Sequence, residues 1–348
     1  MKHLASLALA ACLALPAAAQ QIDLPPLPPE QTSPFAFAQS GGKAEATAAA
    51  QTDAASAGRV IGGEVAADGA WPWQVALLIG GQGRTADAQF CGGTMLLPQW
   101  VLTAAHCIHM ADPNGNFGDL RTDAIGVLVG SNDLTTGGDV VPVKAIFRHP
   151  GYVGTEYDND IALIKLARPP AASYETIKVP DAQLGDQLDQ PGVRTVVTGW
   201  GLTEGAQRTE LMKQAEIQML SRQRCNNVML EARAKAAAEG LTFAARAFGL
   251  RQEETEAVWQ SLITYVREPM TENMLCSGTF EGGKGACSGD SGGPLVVQLA
   301  SGDYIQAGVV SWGLANTQTK SCLETAQFSA YTRVSNYLPW LEQTIGAN

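Results

Sequence analysis

Charged side chains are scarce in this chain of 348 residues, where Asp, Glu, Lys and Arg together make up 16 %, against about 25 % in average soluble domains. Basic residues are the scarcer sign, 23 Lys+Arg against 34 Asp+Glu, for a net charge of −11. A body of that sign has no electrostatic attraction to phosphate backbones, so nucleic acid is not an expected partner. Also missing is any stretch close to the roughly 20 consecutive apolar residues that span a bilayer, so no membrane-spanning helix is expected. Histidine is rarer still, with only four, so each can be weighed singly. Apolar residues, by contrast, reach 45 %, with 37 Gly and 18 Pro to turn the chain. Such a composition supports a sizeable core and does not fit wholesale disorder.

The first residues read as an address. Lys2 gives a basic start, Leu4 to Leu15 an apolar run, and Ala17-Ala18-Ala19 a small-residue cleavage site. Residues 1–19 therefore read as a secretory signal peptide, its Ala-rich run pointing to a bacterial source. Leu9-Ala10-Ala11-Cys12 also resembles a lipidation box, but the apolar run continues past Cys12. Residues 20–59 read as a propeptide, expected to be largely disordered. They hold the polyproline-like run Leu24–Pro29, then a stretch of mostly Ala, Thr, Ser and Gln from Ala44 to Gly58. The segment ends at Arg59, before Val60-Ile61-Gly62-Gly63. Without the signal peptide, six of the seven cysteines remain: Cys91, Cys107, Cys225, Cys276, Cys287 and Cys322. An even number in an exported chain implies disulfides in an oxidising compartment, whether periplasm or external medium.

From Val60 onward the texture changes. Short β-type runs such as Trp73–Ile79 and Arg194–Thr198 recur between Gly, Pro, Asn and Asp, the rhythm of a sandwich or barrel. Residues 227–268 break it. They are rich in Ala, Glu, Gln and Arg, and Trp259, Leu262, Ile263 and Val266 form a helical stripe before Pro269. A helical insertion packed on a β-body is expected, and Asn336 to Ile345 reads as a closing surface helix.

Three strings carry the chemistry. Gly289-Asp290-Ser291-Gly292-Gly293-Pro294 sets a serine among residues that permit unusual backbone angles. Glycines there let main-chain N–H groups converge on a reacting carbonyl. The same string fits the nucleophile elbow of α/β-hydrolases, but the elbow needs a later histidine, and none follows His149. The serine needs a base. His3 leaves with the signal peptide, and His109 and His149 border turns. That leaves His106, in the enclosed run Leu102-Thr-Ala-Ala-His-Cys107. The third string, Asp158-Asn-Asp-Ile-Ala-Leu-Ile-Lys-Leu166, brings Asp160 directly before an apolar strand. A buried carboxylate there needs a partner, and orienting an imidazole would supply one. Asp158 reads as a solvated turn acid.

These motifs, in this order, resemble the chymotrypsin/trypsin family of serine endopeptidases from Val60 to about Ile345. The resemblance implies an all-β protease domain over residues 60–348, built as two antiparallel six-stranded β-barrels with a C-terminal helix and the helical insertion. The active site would lie between the barrels, with His106 and Asp160 from the first and Ser291 from the second. It further implies an oxyanion hole from the amides of Gly289 and Ser291. The disulfides it implies are Cys91–Cys107, Cys225–Cys276 and Cys287–Cys322, and Ser311-Trp312-Gly313 would pair with an extended substrate. Cleavage at Arg59/Val60 would free an α-ammonium that pairs with Asp290, making the chain a zymogen awaiting an activating protease. A monomer acting on peptides or proteins is implied, with no cofactor.

The specificity pocket departs from trypsin. Six residues before Ser291, where trypsin-like enzymes carry an aspartate, stands Gly285. Ala286, Gly313 and Ser329 complete an uncharged lining, with Lys284 expected to face outward and Glu324 on a loop that does not align. An unpartnered guanidinium would be costly to bury, so cleavage after uncharged, apolar residues is expected. No metal is expected either. The stretch Asp112–Asp123 carries oxygen-bearing residues at calcium-loop spacing, but Phe117 stands where that loop requires glycine. Two functions of different class follow: a secreted endopeptidase, or a protease-shaped binding protein without turnover.

Overall fold

The computed structural model describes residues 63–112, 115–203, 206–279, 283–315 and 328–348, together with a strand at 38–39. In chain order the strands begin with β1 (Ala38–Gln39), β2 (Glu64–Val65), β3 (Gln74–Ile79), β4 (Gln89–Leu97) and β5 (Trp100–Thr103). Then come β6 (His109–Ala111), β7 (Phe117–Asp119), β8 (Ile125–Val129), β9 (Asp139–Arg148) and β10 (Ala162–Leu166). Helix α1 (Ala182–Leu188) bridges to β11 (Arg194–Gly199) and β12 (Lys213–Leu220). The insertion supplies α2 (Arg222–Phe248) and α3 (Gln252–Ile263), followed by β13 (Met274–Gly278), β14 (Pro294–Gln298), β15 (Tyr304–Ala315), β16 (Phe328–Arg333) and α4 (Leu338–Ala347).

The strands close into two six-membered antiparallel barrels. The first runs β10-β5-β4-β3-β8-β9 and the second β15-β14-β11-β12-β13-β16, sealed by the β15–β16 ladder. The side chains dictate which face closes inward. Along β12, Ala215, Ile217 and Met219 enter the second core while Glu216 stays in water, the period of two expected of a strand. Val75, Leu77, Met95, Val101 and Leu163 fill the first barrel, where Leu341 of α4 also docks. Buried polar pairs tie the barrels together: Thr94 Oγ1 donates to Gln306 Oε1 at 2.6 Å, and Thr198 Oγ1 to Gln74 Oε1 at 2.7 Å. Strand β2 adds to β12, and β1 lies parallel on the edge of β15, Ala38 opposite Leu314 and Gln39 opposite Ala315.

The insertion forms helices as its composition suggests, but with other bounds and other packing. Ser221 caps α2 by accepting from the Arg224 amide, and Gly249 ends it in the left-handed region at φ 67°. Of α2 only Cys225, Asn226 and Met229 are buried, and of α3 nothing. The stripe expected to dock on the β-body is largely in solvent: Leu262, Ile263 and Val266 are exposed, and α3 stops at Ile263, well before Pro269. The root alone is anchored, by the Cys225–Cys276 disulfide and by Asn226, which accepts from the Met270 amide and donates to Glu268. Among the described residues no helix is long and apolar enough to cross a membrane.

Candidate active site

The end of β5 delivers the histidine. After Thr103 the chain makes a single 3₁₀ turn, Ala105–Cys107, and a disulfide from Cys107 to Cys91 on β4 fixes it against the barrel. The carboxylate of Asp160, fully buried just before β10, accepts twice from His106: from the backbone amide at 2.8 Å and from Nδ1 at 2.7 Å. Ser311 Oγ, reaching from the second barrel, donates to the same carboxylate at 2.5 Å, and Thr332 Oγ1 donates to the Asp160 carbonyl at 2.6 Å. Three donors to one side chain meet the demand that a buried charge be paired and hydrogen-bonded. They also fix the imidazole with Nδ1 toward Asp160 and Nε2 left to face the cleft.

The loop before Asp160 departs from the reading of Asp158 as a solvated turn acid. Its carboxylate accepts from Thr271 Oγ1 at 2.7 Å and from Asn273 Nδ2 at 3.1 Å, so it stitches this loop to the foot of the insertion. Tyr157 and Asn159 take left-handed backbone, φ 52° and 56°, which makes the tight turn that admits Asp160 to the interior. Tyr157 then stands edge-on to His106, ring centroids 5.9 Å apart, with burial pushing its phenol far above the ordinary range.

Ser291 is brought to the same cleft from the other barrel. Its carbonyl accepts from the Gly92 amide at 2.7 Å, and Gly292 passes so close to Thr103 and Ala104 that a Cβ there would lie 2.2 Å from Thr103 Oγ1. Its Oγ is buried and makes no hydrogen bond among the described residues. The structure therefore sets the serine and histidine loops together without a hydrogen bond from Ser291 Oγ, while His106 Nε2 lies 3.7 Å from Cys107 Sγ. The amides of Gly289 and Ser291 also find no acceptor among the described residues. Gly289 holds φ 100°, and Gln89 Nε2 donates to its carbonyl at 2.7 Å. Two free N–H groups beside an unpartnered hydroxyl suit an oxygen that develops negative charge.

Asp290 points the opposite way, into the second barrel. Its carboxylate is fully buried and accepts from Gly201 N at 2.7 Å and Cys287 N at 2.9 Å, with no cation in reach among the described residues. Burial pushes its pKa up to about 6, against the lowering by those two amides. Gly199 and Gly201 are needed here, since a Cβ on either would approach the carboxylate to 2.3–2.4 Å. Arg59 and Val60, expected to supply the cation, lie outside the described residues.

Gly285, Ala286 and Ser329 come together as one pocket wall. Ser329 Oγ accepts from Ala286 N at 3.2 Å, and a Cβ on Gly285 would lie 3.0 Å from it. Lys284 instead borders a cavity with Glu64 and Tyr304, facing out. Trp312 and Gly313 pair with Ala330 and Ser329 across the β15–β16 ladder. Cys287 is disulfide-bonded; Cys322 and Glu324 lie outside the described residues.

The remaining histidines are more engaged than turn residues. His109 sits in β6, its Nδ1 2.5 Å from Asp119, which Arg148 also reaches at 3.0 Å. Sequence spacing gives no sign of this pair, because β6–β7 is a hairpin whose register only the fold sets. His149 does lie in a turn, but edge-on to Tyr337 and Trp340, and burial lowers its pKa. In the stretch with calcium-loop spacing the carboxylates engage separate partners: Asp112 accepts from Asn116, Asp119 pairs with His109 and Arg148, and Asp123 with Arg121. Sequence reading also missed Gln89, the link from Ser311 to Asp160, and Tyr157. Each acts across a barrel or between barrels, at no fixed sequence distance.

Comparison with known proteins agrees with this architecture. The family model described as Trypsin matches residues 60–341. Vitamin K-dependent protein C of Mus musculus is 31 % identical over 299 residues, covering 83 % of this chain and 52 % of its own length. The Rattus norvegicus protein of the same name is 29 % identical over equal shares. The chain thus spans about half the length of these relatives. With the family model covering most of the sequence and the double barrel closed around it, the chain belongs to the trypsin family.

Proposed function

We propose that the chain is a secreted serine endopeptidase with His106, Asp160 and Ser291 as its catalytic triad, stored as a zymogen until another protease cuts after Arg59. The observation that carries this reading is the Asp160-held imidazole in the cleft where Ser291 Oγ lies buried and, with the Gly289 and Ser291 amides, makes no hydrogen bond among the described residues. Ser291 Oγ attacks the scissile carbonyl and gives its proton to His106 Nε2. The tetrahedral oxyanion is accepted by the Gly289 and Ser291 amides. Asp160 keeps Nδ1–H oriented and stabilises the imidazolium, which passes its proton to the leaving amine. Water, deprotonated by the same imidazole, then releases the acyl group. Apo geometry often leaves such hydrogen bonds long until substrate arrives.

Residues 1–19 would direct export, residues 20–59 would be removed, and 60–348 would act as the mature domain, a monomer in periplasm or external medium. The carboxylate of Asp290, buried without a cation among the described residues, supports activation by a new α-ammonium at Val60. The neutral wall of Gly285, Ala286 and Ser329 supports cleavage after uncharged, apolar residues. The unbonded Ser291 Oγ also fits the rival reading, a binding protein without turnover. Labelling by a fluorophosphonate separates them: protein cut after Arg59 is expected to label, Ser291→Ala is not, and an unlabelled cut protein favours the binding reading. Turnover of peptides with Phe, Leu, Ala or Arg before the scissile bond tests the pocket, and a clear Arg preference would overturn it.

A further inference from the structure

The foot of the insertion builds a cavity that shares Tyr157 with the candidate site. Its volume is about 440 Å³, and it lies between Tyr157 and Trp312 on one side and Met229, Arg233, Arg267 and Glu268 on the other. Tyr157 is the ring set against His106, and Trp312 follows the serine that bonds Asp160. Met229 is buried, so the α2 wall is fixed, while the exposed arginines project from it and from the segment that follows α3. In a chain of net charge −11, neither arginine has an ion-pair partner among the described residues. Glu268 is held by Asn226 Nδ2 at 2.9 Å, and Glu156 borders the cavity from the opposite loop.

Where substrate side chains fall follows from the strand. The Gly292 amide bonds Val310, so Ser291 lies beside the start of Ser311–Gly313, and residues upstream of the scissile bond must follow β15 away from it. Side chains of an extended chain alternate. With the first upstream residue in the Gly285–Ser329 pocket, alternation would turn the second and the fourth to the other side, toward His106, Tyr157 and the Trp312 end of the cavity. That edge accepts an extended backbone already: Ala38–Gln39 pair with Leu314–Ala315 and pass beside α2.

We propose that the insertion makes this enzyme selective for an acidic residue four positions upstream of the cut, with Arg233 and Arg267 as specificity-determining residues. The inference rests on the endopeptidase reading. The test uses two peptides that differ only in Glu or Gln at that position, with the residue before the scissile bond set to the best of the Phe, Leu, Ala and Arg series. Active sites are titrated with fluorophosphonate. An exposed ion pair supports about a two- to fivefold effect per arginine. Wild type is therefore expected to favour Glu by about fivefold or more in kcat/KM, chiefly through KM, and less so in high salt. In Arg233→Gln/Arg267→Gln the Glu-to-Gln ratio should fall to about one. The corresponding double Lys variant should keep part of it, and Glu156→Gln should raise it. A wild-type ratio near one, a preference for Gln, or a ratio that survives the double Gln variant overturns the subsite alone. Failure to cleave either peptide or to label overturns the endopeptidase reading and the subsite with it.

Discussion

The stability of the chain before and after cleavage at Arg59 should differ in a pH window set by Asp290. An unfolded aspartate titrates near 3.8, whereas burial raises Asp290 to about 6 in the folded chain. The folded state therefore binds the proton more tightly. Its favourable contribution is complete below pH 3.8 and is lost as the pH rises through 6. The gap from 3.8 to about 6, at about 1.4 kcal/mol per tenfold, amounts to ~3 kcal/mol lost by the uncut chain above pH 6. Cleavage supplies an α-ammonium with a pKa of about 8 that can pair with the carboxylate and remove this loss. The assay is guanidinium unfolding of Ser291→Ala protein, which cannot digest itself, uncut and cut, from pH 4 to 9. Residues 60–348 carry the same titrating side chains in both forms, so a difference confined to this pH window reports on Asp290 and its new partner. Equal stability is expected near pH 4, a cut form more stable by ~3 kcal/mol between pH 6 and 8, and convergence again above about pH 9 as the ammonium loses its proton. Parallel curves would refute the pairing of a new terminus with Asp290.

Two further outcomes follow from single contacts. Ser311→Ala deletes one donor to the Asp160 carboxylate and should lower kcat/KM about tenfold, as expected for a hydrogen bond to a charged group. An unchanged rate would show that the other donors suffice. Replacing Cys225 and Cys276 by alanine opens a loop whose ends are 51 residues apart, and loop entropy sets the cost at about 4 kcal/mol. A denaturation midpoint equal to wild type would contradict that cost.

The sequence made much of the site legible because its local strings must have that form. Glycines around Ser291 answer a backbone need: Gly289 holds φ 100° and Gly292 has no room for a Cβ. Asp160 could be singled out because a carboxylate directly before an apolar strand enters the interior. Asp158 was misread by the same logic. It lies two residues earlier on a turn, and the Thr271 and Asn273 that hold it come from a distant segment. The insertion stripe Trp259–Val266 reads as a buried face by its period, yet periodicity reports only that apolar residues share a side, not that anything covers it.

By itself, then, the sequence determined what local chemistry can encode: alternating runs that make strands, an even set of cysteines after the first nineteen residues, a helical block within a β-chain, and three strings whose residue types suit the one reaction proposed. Tertiary structure alone decided what meets across the barrels. It brought Ser311 to Asp160, Tyr157 against His106, Gly199 and Gly201 under Asp290, and Arg233 and Arg267 into one cavity with Tyr157 and Trp312. The physical reason is that these contacts join residues from strands whose pairing is set by barrel closure, and closure depends on the whole pattern of buried faces rather than on any short window of the chain.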